Sequence, residues 1–181
     1  MHFSNGAAAY NRLTPEDISS YEAVLSLTSI LVLYEIGLLE LVLEKFPKIF
    51  IARATLVALQ DTRSSITGGL GIKTATKIME LFQCNFSKIS SSPYGLDIKT
   101  NYAPDWHKEE MHALRSGRRV YFSDDIVETV LVCRDEDSAG QHPSISTVDF
   151  LTWADQVAGI ITPELVSEKI GEMISLRINS I

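Results

Sequence analysis

The stretch YFSDDIVETV, Tyr121 to Val130, carries two adjacent carboxylates, Asp124 and Asp125, directly behind a short apolar run. A strand that ends in such a pair and passes into a helix delivers its acids to the carboxyl edge of a sheet, where open α/β folds bind ligands. The pair is therefore a candidate metal site. The same residues also suit a helix N-cap, because an Asp at the cap satisfies free backbone N–H groups and complements the helix dipole. Both readings stay open on the sequence alone.

Just upstream, RSGRR (Arg115 to Arg119) offers guanidinium groups that could hold RNA phosphate, with Arg118 and Arg119 nearest the acidic strand. A solvated helix end with favourable dipole interaction is the alternative. Two other stretches lose their chemistry on inspection. TGGLGIKTA (Thr67 to Ala75) resembles a phosphate loop, but Ile72 interrupts the required Gly-Lys-Ser/Thr and no apolar strand precedes it. HKEEMH places His107 and His112 five positions apart, about 140° around a helix, rather than on the one face a zinc site needs. Cys84 and Cys133 lack metal-ligand spacing and read as reduced thiols. Trp106 and Trp153 each sit in a helical apolar pattern and read as core anchors.

The elements that must position these residues alternate. Thr14 to Asp17 opens a helix with a cap and Pro at its first position. Ala23 to Leu27 reads as a buried strand, followed by helical spacing through Ile30, Leu33 and Ile36, a break at Gly37, and a helix over Leu38 to Lys45. A strand over Lys48 to Ala52 and a helix over Thr55 to Asp61 come next. Helical spacing recurs at Ala75, Ile78, Met79 and Phe82, then a strand over Phe86 to Ile89 and a polar surface loop over Ser90 to Asp105. The remainder reads as a helix (Trp106 to Ser116), a strand (Arg119 to Phe122), a helix (Ile126 to Cys133), a polar insert (Arg134 to Pro143), a short Ser144 to Thr147 segment, and helices over Val148 to Val157 and Pro163 to Ile178. Such alternation predicts a mainly parallel sheet covered by helices.

Composition narrows the class. With 181 residues, 45% of them hydrophobic and 22% charged, the chain suits one domain with a packed core. The most apolar region, Leu25 to Phe46, is interrupted by Ser and Glu and falls short of the roughly 20 apolar residues that cross a bilayer. The first twelve residues lack a secretory pattern, so a cytoplasmic location is expected. A formal charge of −7 opposes nonspecific attraction to nucleic acid; a polyanion would need a local basic surface or bridging cations.

Three segments together resemble the PIN-domain family, a metal-dependent ribonuclease fold found in toxin–antitoxin systems and larger bacterial proteins. LSLTSILVLYEIGLLELVLEKFPKIFIARATLVAL (Leu25 to Leu59) is similar to the family's opening strand, helix pair, second strand and helix. YFSDD with its following helix is similar to the strand and acidic pair of one branch, and SISTVDFLTWADQVAGIITPELVSEKIGEMI to that branch's last strand and helical end. The likeness covers most of residues 23 to 178 and is nearest to PIN modules attached to large repeat proteins. It implies a three-layer α/β/α sandwich over residues 23–181, with residues 1–22 as an N-terminal extension carrying one helix.

The resemblance also implies a site: acids at the carboxyl edge holding one or two Mg2+ or Mn2+ ions, which orient a water and neutralise the scissile phosphate. Carried over position by position, the first-strand acid falls on Ser26, or with a shift on Thr28, and the acid of the helix after the second strand on Ala58. The remaining acids fall on Glu110 or Glu109, Asp124 and Asp125, with Asp149 as a further contributor or a helix cap. Asp61 would reach the site only if its helix were rotated, since three positions turn a side chain by about 300°. Replacement of two acids implies weak or lost ribonuclease activity and a role in binding single-stranded RNA, a protein partner or an adjoining repeat domain; an active Mg2+/Mn2+-dependent endoribonuclease is the alternative. No membrane association is expected.

Overall fold

A computed structural model of the protein describes residues 13, 18, 20–65, 70–91, 105–133 and 142–176, with backbone alone at Leu70, Asp105 and Trp106. The helix expected at Thr14 to Asp17 lies outside the described residues, as do nearly all of the loop before Asp105 and of the insert after Cys133.

Five parallel strands form one sheet in the order β3-β2-β1-β4-β5: β1 (Glu22–Leu25), β2 (Ile49–Ile51), β3 (Ile89–Ser90), β4 (Arg119–Phe122) and β5 (Ser144–Ile145). The central strands are apolar along nearly their whole length because helices cover both faces, as parallel sheets require. Alternate side chains then divide between two cores. Ala23, Leu25, Ile49, Ile51, Val120 and Phe122 belong to the larger one. Val24, Phe50 and Tyr121 belong to the smaller one. The result is the expected three-layer α/β/α sandwich with an all-parallel sheet.

On the larger face lie α1 (Leu27–Glu35), α2 (Leu39–Lys45), α4 (Leu70–Cys84), α7 (Thr147–Gln156) and α8 (Pro163–Ser175), which supply Leu33, Leu43, Ile78, Phe150 and Met173 to that core. Phe122 and Phe150 are fully buried with ring centroids 6.0 Å apart, each burial contributing roughly 1.5–3 kcal/mol. The smaller face carries α5 (Asp105–Arg115) and α6 (Ile126–Cys133), which bring Met111, Leu114 and Val132 against Tyr121. Between β2 and α4 runs α3 (Arg53–Arg63), whose Leu59 reaches the larger core.

Helix ends follow the capping residues. Gly37 takes a φ of 71°, the left-handed conformation that glycine adopts without steric cost, and this separates α1 from α2. At the other end of α2, Lys88 Nζ donates to the carbonyls of Leu43 (3.2 Å) and Glu44 (2.7 Å), groups the helix leaves unpaired. Thr162 caps α8, and Pro163 follows at its first position. Among the described residues no helix is long and apolar enough to cross a membrane.

Candidate functional site

The strand order reverses direction between β1 and β4, so their carboxyl ends flank the crevice where open α/β sheets bind ligands. Leu25 pairs with Phe122, and the next residues, Ser26 and Ser123, face each other across that junction. Ser26 Oγ lies 3.3 Å from both Ser29 Oγ and Ser123 Oγ, and it accepts the N–H of Ser29 as the N-cap of α1. The Ser29 hydroxyl donates to the Phe122 carbonyl at 2.8 Å. From the other side, the Ser123 hydroxyl donates to Glu128 Oε2 and the Thr28 hydroxyl to Glu128 Oε1, both at 2.9 Å. One carboxylate on α6 thus joins the first turn of α1 to the end of β4 through hydroxyl groups.

The two aspartates serve different elements. Asp125 Oδ1 accepts the backbone N–H groups of Val127 (2.7 Å) and Glu128 (3.1 Å), so it caps α6, as the cap reading requires. Asp124 is buried and reaches across to α7, where Oδ1 accepts the Thr147 N–H at 2.8 Å and Oδ2 the Thr147 hydroxyl at 2.5 Å. Burial raises the Asp124 pKa, while both Thr147 hydrogen bonds oppose that rise. Asp149 completes a capping box with Ser146 at the start of α7, in agreement with the cap alternative for that residue.

The neighbouring glutamates on α5 also part company. Glu109 accepts the backbone N–H of Arg53 at the start of α3. Glu110 has no exposed surface and stands beside the smaller apolar core, accepting the Tyr121 hydroxyl at 2.8 Å. Desolvation pushes its pKa up to about 8, despite the opposing Tyr121 hydrogen bond, so the carboxyl is mostly neutral near pH 7. Its own helix adds the charge of Glu109 and α6 adds that of Glu128, which both raise it further. His107, also buried on α5, has its pKa lowered by burial, with Asp125 acting in the other direction.

Ala58 and Asp61 are exposed on α3. The arginines lie at the opposite edge of the sheet. Arg119 opens β4 opposite Glu22, so it sits at the amino end of the strands, the far edge from Ser26 and Asp124. Its Nε donates to Glu22 at 2.9 Å and a terminal nitrogen to the Ala113 carbonyl at 2.8 Å, while its guanidinium lies over Phe50. Arg118 stacks over Tyr21, 4.7 Å from the ring centre. Neither is placed to hold a phosphate at the acidic edge, because the strand itself lies between.

Among the described residues, no three His, Cys, Asp or Glu side chains come together as a group that could hold a metal ion. Glu109, Glu110, Asp124 and Asp125 are thus not brought together as such a group. Their oxygens receive hydrogen bonds from Arg53, Tyr121, Thr147 and the α6 backbone, and Ser26 supplies a neutral hydroxyl in the first-strand position. This donor set does not fit a two-ion Mg2+ or Mn2+ centre, which needs several anionic oxygens facing a common point. Glu128, Ser123 and Thr147 are the residues that sequence reasoning did not assign. The one available signal was spacing: Glu128 stands three residues after Asp125, the separation between a helix cap and the third residue of the helix it opens. No family model matches the chain, and neither the curated proteins nor the solved structures contain a match.

Proposed function

We propose that the chain is a PIN-like nuclease-fold domain with weak or lost ribonuclease activity, working as a binding module for a protein partner, such as an adjoining repeat domain. The observation that carries this reading is the closed hydrogen-bond network at the strand junction. The Ser26 hydroxyl is directed to Ser123, and the Ser123 and Thr28 hydroxyls to Glu128, where a hydrolytic centre of this class would hold acids around metal ions. Mg2+ keeps several of its waters even in good sites, so binding here is weak at most and falls on one or two carboxylates. A protein partner is favoured over RNA because the chain carries a formal charge of −7 and the Arg119 donors are engaged away from the acidic edge.

An active endoribonuclease is the second reading, and Glu128 favours it by adding a carboxylate beside the junction. The test is cleavage of a fluorescent single-stranded RNA with Mg2+ and with Mn2+, alongside a Mn2+ calorimetric titration. The unmodified chain is expected to cleave slowly or not at all, and Ser26→Asp combined with Ala58→Glu to raise the rate. Robust Mg2+-dependent cleavage by the unmodified chain, abolished in a folded Asp124→Asn variant, would overturn the binding-module reading.

A further inference from the structure

We draw no further inference here: the strongest candidate, the exposed apolar stripe of Val127, Val130 and Leu131 on α6 beside the acidic edge of the sheet, carries nothing because nothing in the structure shows what covers it.

Discussion

Thr147 holds both carboxylate oxygens of Asp124, one with its backbone N–H and one with its hydroxyl. The pair fastens the end of β4 to the first turn of α7. Thr147→Val removes the hydroxyl alone and is expected to lower stability by about 1 kcal/mol. Asp124→Ala leaves both donors without their acceptor and should lower it by about 2–3 kcal/mol. Urea unfolding midpoints at constant slope report the two values. Equal losses for the two variants would contradict the assignment of Asp124 as the shared acceptor.

Glu128 should be coupled to Ser123 more strongly than surface neighbours on a helix are. Glu128→Ala strands the hydroxyls of Thr28 and Ser123, a loss of about 1–3 kcal/mol. A double-mutant cycle with Ser123→Ala is expected to give an interaction of at least about 0.5 kcal/mol. Strict additivity would mean that the network holds no energy beyond its separate members.

Glu110 makes stability depend on pH in a definite direction. Its folded pKa of about 8 lies above the ordinary 4.5, so the folded chain binds this proton more tightly than the unfolded one. The contribution is full below pH 4.5 and is lost as pH rises from there through about 8. Glu110→Gln stays neutral and keeps an acceptor for Tyr121. Relative to the unmodified protein it should be nearly as stable at pH 5 and distinctly more stable at pH 9, read as thermal midpoints. Parallel pH profiles for the two proteins would show that Glu110 is ionised throughout.

The two arginines should differ in cost. Arg119→Ala removes an ion pair, a bond to the Ala113 carbonyl and the contact with Phe50, with an expected loss of about 1–3 kcal/mol. Arg118→Ala loses the stacking contact of an exposed guanidinium with Tyr21 and should stay within about 1 kcal/mol of the parent. Chemical denaturation distinguishes them, and a larger loss for Arg118 would count against the packing described for β4.

Much of the fold was legible because apolar periodicity is a local signal. The strand over Arg119–Phe122 and the helix over Ile126–Cys133 coincide with the sequence reading, and Gly37 separates two helices where expected. The strand read at Phe86 to Ile89 is instead Ile89–Ser90, since Asn85 to Lys88 close turns on the end of α4 and leave Phe86 exposed. Local pattern does not reveal such a turn, because its apolar residue resembles the first position of a strand. The site was less legible for a different reason. Asp124 and Asp125 are adjacent in sequence but find partners on different elements, and Glu110 differs from Glu109 only in which face of α5 it occupies. Partner choice is set by packing between elements distant along the chain.

The sheet order also decides when the crevice comes into existence. Ala23 pairs with Ile49 on one side and Val120 on the other, while Ser26 and Ser123 stand 97 positions apart. A chain emerging from the ribosome completes β1 and β2 early, then exposes the other edge of β1 until β4 has been made, a wait of seconds at roughly 5–20 residues per second. Until then that edge presents unpaired backbone groups to any strand nearby. The candidate site is consequently among the last features to assemble, and a chain cut short before Arg119 would display a sticky strand edge in its place.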